Sequence, residues 1–364
     1  MTQRKSLSQL VQISYSLDTK LGGPVQVVSN SHHYLEAKYG ARLVVFGVNN
    51  FELSNTSCIP TLFGNKYGLP SNLFNQKELD VIRQADVLLM HGHYQINNFI
   101  CLIMNRNATL FIMPHGSFEK YQQKFSKFRK AIFDILFKRF TKNRELYFFV
   151  ATEEEKQGVL SRFSSSKVFS VGLGIHVPKM VNEKSANKRL ITLSRLHPKK
   201  NIELCIDSMK ILNRQNSGFQ LQIAGSGRRS YEEFLKRKVI SSNLEDSIDF
   251  CGELIGQEKE IFFSKGGIFL LPSFNENFAI AVAECISQGI PVIVSRQVGL
   301  ASFVESRECG IVLEIPTAQS LVDAILEIEG NYSEYSSRCI SVRNDLDWEK
   351  IMVDWCDALE RLIS

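Results

Sequence analysis

Short apolar runs alternate along this chain with segments of helical period, and this alternation restricts the possible folds more than any other feature. The runs are bounded by turn residues, and most are continuous rather than alternating in polarity. They occupy residues 43–46, 87–90, 110–113, 147–150, 168–171, 190–193, 221–224, 268–271, 292–294 and 311–313. Continuous apolar runs are typical of parallel strands covered on both faces. With helical segments such as 202–213 and 320–329 between them, they predict α/β domains with parallel sheets.

The length of 364 residues suits about two domains, since a domain takes roughly 150 residues. A polar, charge-rich stretch at residues 178–189 (PKMVNEKSANKR) separates two sets of apolar runs and is typical of a linker. The sequence therefore predicts an N-terminal domain at residues 1–180 and a second domain at 181–345. Residues 346–364 carry apolar positions at helical spacing, and we expect this last helix to return to the N-terminal domain.

The composition points to a cytoplasmic protein. The basic residues near the N-terminus precede no long apolar run, so no signal peptide is expected, and no stretch approaches the roughly 20 apolar residues of a spanning helix. The eight cysteines are scattered without a CxxC pair, which favours buried free thiols in a reducing compartment over disulfides or a metal site. The net charge of +5 is compatible with anionic partners such as phosphates or a membrane surface.

The segment FNENFAIAVAECISQGIPVIVS, after the apolar run GIFLLPS, carries the clearest chemistry. It predicts a loop with Glu276, a helix from about residue 278 that ends at Gly289, and then a strand. Glu284 would lie about two turns into this helix, on the side of Glu276. The first turn of the helix would offer free backbone N–H groups to an anion such as a diphosphate. The residues that carry these N–H groups are Asn277, Phe278, Ala279 and Ile280.

The run PSFNENFAIAVAECISQGIPVIVS resembles the E-x7-E region of the family 4 retaining glycosyltransferases. The resemblance implies the GT-B fold, an α/β architecture of two Rossmann-like parallel-sheet domains facing a central cleft. It also implies that residues 1–180 bind the acceptor and that residues 181–345 bind a sugar nucleotide. Two glutamates eight residues apart would alone more often be surface residues, so the prediction depends on the strand, helix and Gly-x-Pro-Val around them.

Three further segments resemble the family in the same order along the chain. In SRLHPKKN, Arg195 and Lys200 match positions that bind the diphosphate; a solvated arginine at a strand end is the alternative. IAGSG resembles the glycine turn beside the nucleotide, and FCGEL the loop that packs on the nucleobase. A simple tight turn is the alternative for the first of these. The residues that the two segments assign to the donor are Gly225, Gly227, Gly252 and Glu253.

Ala279 is a departure from the family, which usually has glycine at this position. A methyl group here narrows the space beside the diphosphate or the sugar, so the identity of the donor sugar stays open. The backbone N–H of Ala279 remains available, so the substitution does not remove the predicted anion site.

The first domain carries two segments that the resemblance assigns to the substrates. LGGPV matches a loop after the first strand that approaches the donor phosphates or the acceptor, which assigns Gly22 and Gly23 to substrate binding; a structural turn is the alternative. In PHGS, His115 matches a histidine that contacts the transferred sugar. His91 and His93 of MHGHY follow an apolar strand, and we predict a substrate contact for His91.

No cofactor or metal is expected beyond the donor itself. Three histidines suggest a metal site, but such a site normally also needs carboxylate or cysteine ligands at regular spacing, and the sequence has none beside them. Family 4 enzymes are also typically metal-independent. The triplet Asp345, Leu346, Asp347 precedes the last helix instead of following a central strand. Capping of that helix by Asp347 explains the triplet better.

Residues 120–144 (KYQQKFSKFRKAIFDILFKRFTKNR) hold nine Lys or Arg against one acid, interleaved with aromatic and aliphatic residues. A basic helix with an apolar face predicts binding to an anionic membrane surface. A core-packing helix with solvated lysines is the alternative. Nucleic acid is disfavoured as a partner because no recognised binding module accompanies the patch.

Together these features predict a retaining transferase that moves a sugar from a nucleoside-diphosphate sugar to a hydroxyl. Glu276 and His115 are the predicted catalytic residues, with Glu284 on the ribose. The family suggests a saccharide or lipid-linked acceptor in bacterial surface-polysaccharide assembly, such as O-antigen or capsule, at the inner face of the cytoplasmic membrane. A sugar-nucleotide epimerase of the same fold and a non-catalytic binding protein are the alternatives.

Overall fold

The computed structural model describes residues 7–18, 23–47, 49–50, 53–59, 76–181 and 186–363. The chain forms two compact units. The first comprises Met1–Leu173 together with Ile351–Ser364, and the second comprises Gly174–Lys350. Gly174 is a close-packed position of the second unit, because a Cβ there would lie 2.7 Å from Trp348 Cα.

A parallel sheet forms the centre of the first unit. Within the described ranges it has seven strands in the order β3-β2-β1-β4-β5-β6-β7. The strands are β1 (Leu10–Ser14), β2 (Arg42–Phe46), β3 (Thr56–Ile59), β4 (Val87–His91), β5 (Thr109–Met113), β6 (Leu146–Val150) and β7 (Lys167–Ser170). The helices between them are α1 (Gly23–Tyr39), α2 (Gln76–Arg83), α3 (Ile96–Met104), α4 (Lys120–Gln123), α5 (Lys127–Thr141) and α6 (Glu153–Leu160). Strands β1, β4 and β5 are buried along their whole length, as parallel strands covered by helices must be.

The second unit repeats this plan with its own sheet. The part of it that the structure describes has six parallel strands in the order β10-β9-β8-β11-β12-β13. The strands are β8 (Arg189–Leu193), β9 (Gln220–Ala224), β10 (Ile248–Gly252), β11 (Ile268–Leu271), β12 (Val292–Ser295) and β13 (Gly310–Leu313). The helices are α7 (Ile202–Arg214), α8 (Arg229–Ile240), α9 (Gly256–Ser264), α10 (Ile280–Ser287), α11 (Ala301–Ser306), α12 (Ala318–Gly330) and α13 (Tyr332–Val342). The last helix, α14 (Trp348–Ile363), follows α13 and continues into the first unit.

The prediction of two α/β units with parallel sheets is confirmed. The strand order of the second unit reverses between β8 and β11, which are neighbours in the sheet. Loops that leave the carboxyl ends of two such strands diverge and form a crevice, the usual ligand position in open α/β sheets. The loops after β8 and β11 hold SRLHPKKN and PSFNEN, the two segments that carry the strongest family resemblance.

Two predicted helices differ from the observed ones. The helix expected from about residue 278 begins at Ile280, because Ala279 has a left-handed backbone (φ 72°, ψ 68°) that no α-helix accommodates. The basic segment 120–144 is not one helix: Ser126, at φ 53°, separates the short α4 from α5. The predicted cap of the last helix is confirmed, since the Glu349 N–H donates to Asp347 Oδ1 at 2.9 Å.

Candidate functional site

Three loops at the carboxyl ends of β8, β11 and β12 are joined by backbone hydrogen bonds. The N–H of Glu276 donates to Gln297 O at 3.0 Å, and the Gly299 N–H donates to Glu276 O at 2.9 Å. The Phe274 N–H donates to Lys199 O at 2.9 Å. These bonds hold the backbone of Glu276 on both sides and bring the loop after β11 against the SRLHPKKN turn.

Lys200 and Glu276 meet as a consequence. Lys200 Nζ lies 2.6 Å from Glu276 Oε1, and Lys199 Nζ lies 4.0 Å from the same oxygen. The side chains of Lys200 and Glu276 are largely shielded from solvent, with exposed fractions of 17% and 12%. Burial lowers the pKa of Lys200, and the neighbouring Glu276 carboxylate opposes that shift. Two residues that the sequence predicted for one site are therefore in direct contact.

A group of positive charges surrounds His197, which lies between Arg195 and Lys200 in the chain. Its Nδ1 accepts a hydrogen bond from the Lys199 N–H at 3.1 Å. The pKa of His197 is lowered first by burial and then by four cations, of which Arg195 is the most effective. The four cations are Arg195, Lys199, Arg228 and Lys200. Because His197 is neutral at ordinary pH, it adds no charge of its own, and the cluster carries the four positive charges of these residues.

Two members of this cluster, Lys199 and Arg228, were not predicted. The pair of lysines in SRLHPKKN was one available signal, although the resemblance assigns only the second lysine. Arg228 follows the glycine turn after β9, more than thirty residues away, so only the sheet order places it beside the others. Arg195 itself is exposed, as a cation that meets a soluble anion would be.

The first turn of α10 carries the predicted anion site in a changed form. Since the helix begins at Ile280, the first N–H groups of the helix itself are those of Ile280 and Ala281, whereas Asn277, Phe278 and Ala279 lie in the loop before it. The Val282 N–H already donates to Ala279 O at 2.9 Å. The left-handed backbone of Ala279 also gives a physical reason for the family's glycine, since an L-residue with a Cβ is strained there.

The loop after β11 also holds buried polar atoms without partners. Within the described part of the chain, Ser273 Oγ, Asn275 Oδ1 and Asn277 Oδ1 lack a hydrogen-bond partner. Buried polar groups are normally paired, and each unpaired one costs about 1–3 kcal/mol unless a ligand or water satisfies it. Phe278, predicted as a donor contact, is buried at 6% exposure and packs inward.

Glu284 lies in the second turn of α10, where it pairs with a residue that was not predicted. Lys259 Nζ of α9 lies 2.5 Å from Glu284 Oε1. Burial raises the pKa of Glu284, and Lys259 acts in the opposite direction. No direct contact between Glu276 and Glu284 appears among the contacts of the described residues, and each has its own lysine partner.

The glycines after β9 have a packing role that needs no ligand. A Cβ on Gly225 would lie 1.8 Å from Ser194 O, and a Cβ on Gly227 would lie 2.0 Å from Leu196 O. Both glycines therefore allow the end of β9 to approach the loop that carries Arg195. Gly252 is different, since a Cβ there would meet no atom within 4 Å, and its O accepts from the Gly225 N–H at 2.6 Å.

Glu253 is exposed beside this turn. Its Oε2 accepts a hydrogen bond from Ser226 Oγ at 3.2 Å. FCGEL was predicted as a loop, but its first three residues belong to β10. Gly252 and Glu253 therefore mark the carboxyl end of an outer strand, two places from β8 in the sheet.

In the first unit, His91 and His115 are in direct contact. His91 Nδ1 lies 3.0 Å from His115 Nε2, and the rings stack with centroids 5.2 Å apart. His115 follows β5 with a left-handed backbone (φ 51°), and its loop is held by the buried Glu155, which accepts from the Gly116 N–H. Burial lowers the pKa of His115 to about 4. His91 is also buried, and its pKa is lowered well below the ordinary value by burial, by His115 and by His32.

His93 does not join this pair. It is fully buried among aromatic rings, and its Nε2 lies 3.1 Å from Asp134 Oδ1, a carboxylate that Arg162 Nη1 also approaches at 2.6 Å. His93 is therefore a core histidine that fixes α5. Of the two glycines predicted at the first loop, Gly23 begins α1 and Gly22 lies outside the described residues.

Helix α5 buries one face and exposes a second apolar face. Phe137, Thr141 and Asp134 point into the unit. The opposite face carries Phe128 at 78% exposure and Ile135 at 67%, with further exposed apolar residues beside them. On α5 these are Ile132, Leu136 and Phe140, and Phe125 is exposed in the segment just before the helix. The buried face agrees with the alternative of a core-packing helix, whereas the exposed apolar face is a feature that this alternative does not explain.

None of the described helices is long and apolar enough to cross a membrane. No group of three or more His, Cys, Asp or Glu side chains within the described ranges is arranged to hold a metal ion.

The sequence of the second unit matches a known family. Residues 178–342 match the family described as "Glycosyl transferases group 1". The chain is 26% identical over 167 residues to the amylovoran biosynthesis glycosyltransferase AmsK of Erwinia amylovora, covering 44% of this chain and 40% of AmsK. It is 25% identical over 154 residues to the putative colanic acid biosynthesis glycosyltransferase WcaL of Escherichia coli, covering 41% and 37%. The matches thus span less than half the length of these curated relatives.

Solved structures match over nearly the whole chain. A sucrose-phosphate synthase from Thermosynechococcus elongatus superposes with a TM-score of 0.76 at 17% identity, covering 97% of this chain and 99% of that one. Anabaena HepE in complex with UDP and glucose gives 0.78 at 14% identity, with the same coverage. WaaG, a glycosyltransferase involved in lipopolysaccharide biosynthesis, gives 0.70 at 12% identity, covering 96% and 99%. At these identities the likeness establishes the fold, which is GT-B, as predicted.

Proposed function

We propose that this chain, which carries a group 1 glycosyl transferase region at residues 178–342, is a retaining glycosyltransferase. It moves a sugar from a nucleoside-diphosphate sugar to a hydroxyl of a saccharide or lipid-linked acceptor. No metal or other cofactor takes part in the proposed reaction.

The cation cluster around His197 is the observation that carries this proposal. Transfer of a glycosyl group releases a nucleoside diphosphate, so the enzyme must stabilise negative charge that develops on the leaving group. Arg195, Lys199, Lys200 and Arg228 supply fixed positive charge, and the start of α10 adds free N–H groups. Fixed charges of this kind act without reorganisation at the moment of reaction, which is where their catalytic effect lies.

Each remaining site residue has a role that follows from the family resemblance and suits its surroundings. Glu276 orients the donor sugar, and its pairing with Lys200 joins the sugar site to the phosphate site. Glu284 accepts hydrogen bonds from the ribose hydroxyls, with Lys259 holding its carboxylate in place. His115 contacts outer hydroxyls of the transferred sugar. The unpaired oxygens of Ser273, Asn275 and Asn277 are further acceptors for donor hydroxyls.

The relatives support a role in surface-polysaccharide assembly. Two of them are named for amylovoran and colanic acid biosynthesis, and WaaG is described as acting in lipopolysaccharide biosynthesis. The HepE structures contain UDP, so uracil is the first nucleobase to test. We therefore propose O-antigen, capsule or a similar polysaccharide as the product, built on a lipid-linked acceptor.

The outward face of α5 is proposed to bind the anionic surface of the membrane that carries this acceptor. Its exposed apolar residues, Phe128, Ile132, Ile135 and Leu136, would enter the boundary between headgroups and acyl chains. Lys127, Arg129 and Arg139 flank or cross this stripe and would meet anionic headgroups. In this proposal the protein is cytoplasmic and peripheral on the inner face of the membrane.

A ligand screen followed by product analysis tests the proposed reaction. Thermal shifts are measured with UDP, GDP, ADP and their sugar conjugates, since a ligand at 100 times its Kd stabilises the native state by about 2.7 kcal/mol. The sugar conjugate that gives the largest shift is then incubated with and without acceptor. We expect glycosylated acceptor with the donor's anomeric configuration.

The other outcomes identify the rival functions. Formation of an epimer without any acceptor, whether bound to the nucleotide or released as free sugar, would identify the epimerase. Donor binding without transfer and without slow donor hydrolysis would identify a binding protein. The absence of any shift with the three nucleotide classes would exclude the donor site itself.

A further inference from the structure

A chain of buried hydrogen bonds in the first unit leads from α1 to His115. Gln12, in the middle of β1, is fully buried, and its Oε1 lies 2.9 Å from His32 Nδ1. Its Nε2 lies 3.2 Å from His91 Nε2 and 3.0 Å from Ser31 Oγ. His91 Nδ1 then lies 3.0 Å from His115 Nε2. The glutamine amide is therefore the link between two histidine systems.

One end of this chain has a fixed direction. His32 Nε2 lies 2.9 Å from Ser54 O, and a carbonyl oxygen only accepts, so His32 Nε2 carries a proton. A neutral His32 then has a lone pair on Nδ1 and needs a donor there. Gln12 meets that need only with its NH₂ group towards His32. Its amide is then turned by 180°, so that the amide oxygen and not the nitrogen faces His91. Amide oxygen and nitrogen are exchanged by such a turn without any change of shape.

The turned amide determines which nitrogen carries the proton in each of the other histidines of this hydrogen-bonded series. Its oxygen faces His91 Nε2, which must donate, so His91 Nδ1 is left as an acceptor. His115 Nε2 must then donate to His91 Nδ1, which leaves His115 Nδ1 without a proton. The hydroxyl of Ser31 donates to Val28 O when it accepts from the amide NH₂, and in the turned arrangement its proton goes to the glutamine oxygen instead. No residue in the described part of the chain takes His115 Nδ1 as a partner.

We propose that Gln12, His91 and His32 are positioning residues that hold His115 in its Nε2–H tautomer, so that Nδ1 accepts a hydrogen bond from a hydroxyl of the transferred sugar. The proposal rests on the proposed function, in which His115 contacts that sugar. Protonation of His32 reverses every bond in the chain. A doubly protonated His32 donates from Nδ1 to the glutamine oxygen, the amide NH₂ donates to His91, and His115 Nδ1 becomes a donor.

The groups around these hydrogen bonds determine whether His32 is neutral or doubly protonated. Burial lowers the pKa of His32, and His33 acts in the same direction, while Glu36, 4.0 Å from Nε2, and the Ser54 carbonyl act to raise it. The pKa of His91 is lowered by burial, by His115 and by His32, and that of His115 by burial. All three histidines are therefore neutral at pH 7.5, the state in which the amide is turned.

The tautomer of His115 is directly measurable in the whole protein without any substrate. Long-range proton–nitrogen NMR spectra of ¹⁵N-histidine-labelled protein separate a ring nitrogen that carries a proton from one that does not. At pH 7.5 we expect His115 with a protonated Nε2 and a bare Nδ1, and the same pattern at His91. Assignment comes from the loss of each signal set in His115→Asn and His91→Asn. A protonated Nδ1 at His115 would overturn the proposal.

Two variants of Gln12 separate positioning from packing. Gln12→Glu offers acceptors only, so His91 still donates from Nε2 and His115 keeps its Nε2–H tautomer, while His32 becomes doubly protonated. Gln12→Met keeps the volume and removes the link, so the His91–His115 pair populates both tautomers. An unchanged tautomer in Gln12→Met, or a reversed one in Gln12→Glu, would contradict the proposal, and the wild-type spectrum decides if Gln12→Met does not fold.

Kinetics then connect the tautomer with the reaction. We expect kcat/KM for the donor to fall about tenfold in Gln12→Met and by less in Gln12→Glu. The tautomer of His115 and the transfer of sugar can be refuted independently. A bare Nδ1 at His115 in a protein that transfers no sugar would refute the proposed function. It would not refute the proposal that Gln12, His91 and His32 fix the tautomer of His115. Normal transfer with a protonated Nδ1 would do the reverse.

Discussion

Lys200 Nζ lies 2.6 Å from Glu276 Oε1, so the proposed phosphate-binding lysine and the proposed sugar-binding glutamate form one ion pair. The pair has a consequence for the charge of the site. Burial lowers the pKa of Lys200, and the adjacent Glu276 carboxylate acts in the opposite direction, in favour of the cation. An arriving diphosphate adds negative charge beside Lys200, while Lys199 and Arg195 lie near enough to share it. The pair therefore opposes the loss of charge at Lys200 and holds its side chain in place before the donor binds.

The first prediction is that Lys200→Ala lowers kcat/KM for the donor by about 100-fold, the cost of removing one donor group from a site that stabilises developing charge. The fold should persist, since Glu276 keeps Lys199 within 4.0 Å and has its backbone held by Gln297 and Gly299. Steady-state kinetics and circular dichroism check both statements. Lys210→Ala is the matched control, because Lys210 forms an ordinary pair with Asp207 on α7. A turnover of the Lys200→Ala variant within threefold of the wild-type value would contradict the assignment of Lys200 to the site.

A second prediction concerns Glu284, whose pKa is raised by burial. An acid whose pKa is higher in the folded than in the unfolded state destabilises the fold above both values, and the penalty disappears below the unfolded value. Glu284→Gln should therefore raise the melting temperature at pH 7.5 and leave it unchanged at pH 4. The same variant should bind the nucleotide about tenfold more weakly, since a charged acceptor for the ribose is lost. A lower melting temperature at pH 7.5 would mean that the pair with Lys259 outweighs the burial.

Metal removal gives a third prediction. If Arg195, Lys199, Lys200 and Arg228 stabilise the leaving diphosphate, the reaction needs no divalent ion for that task. Transfer measured in excess EDTA should then stay within twofold of the untreated rate. The Lys200→Ala variant provides the contrast: partial rescue of this variant by added Mg²⁺ would show that charge is what it lost. Abolition of wild-type transfer by EDTA, reversed by Mg²⁺, would contradict the proposed mechanism.

The sequence predicted the sheets well where the apolar runs are unbroken. All the predicted runs are strands, with ends that differ by at most one residue. Strand β1 was missed because Gln12 interrupts LVQIS, and only the structure shows the partners that make its burial possible. Strand β10 was missed because FCGEL was assigned to a loop from its resemblance to the family, whereas its first three residues belong to a strand that pairs with β9. The local sequence pattern therefore did not predict β1, where partners far away in the sequence allow a polar residue to be buried.

The site was predictable in outline and not in its pairings. Lys200 and Glu276 were both identified, but their contact depends on backbone bonds between loops 76 residues apart in the chain. Lys259, Arg228 and Gln12 carry no motif of their own and enter only through the fold. Ala279 is the converse case: the departure from glycine was visible in the sequence, while its physical meaning, a backbone angle of φ 72°, was not.

The fourth prediction concerns the outward face of α5. Replacing Lys127, Arg129 and Arg139 by glutamine should weaken binding to vesicles that contain anionic lipid by roughly 100-fold, at about 1 kcal/mol for each charge near the surface. Lys130 is not included, because its Nζ donates to Gln122 O at 2.6 Å and is therefore engaged within the protein. Co-sedimentation at two salt concentrations measures the effect, which should shrink as salt rises.

A matched control tests whether position or charge alone matters. The same three changes on the exposed side of α8, at Arg229, Lys236 and Arg237, remove equal charge from the second unit and should leave vesicle binding nearly unchanged. Phe128→Ser with Ile135→Ser keeps all charges and should still reduce binding, since the apolar stripe is lost. Equal loss in the α8 control, or no preference of the wild type for anionic vesicles, would contradict the proposed surface.

The last prediction is that Ala279→Gly stabilises the protein. A left-handed backbone costs an L-residue roughly 1–2 kcal/mol, and glycine has no such cost, although it loses more conformational entropy on folding. A net gain of about 1 kcal/mol should raise the melting temperature of a unit of this size by about 2–4 °C. Ala281→Gly, two residues on and inside α10, is the control and should destabilise by about 1 kcal/mol instead. Scanning calorimetry of the two variants therefore gives shifts of opposite sign if Ala279 is strained, and shifts of the same sign if it is not. Since Ala279 directly precedes the proposed phosphate-binding turn, a donor affinity that rises in Ala279→Gly would also show that the methyl group limits the space for the donor.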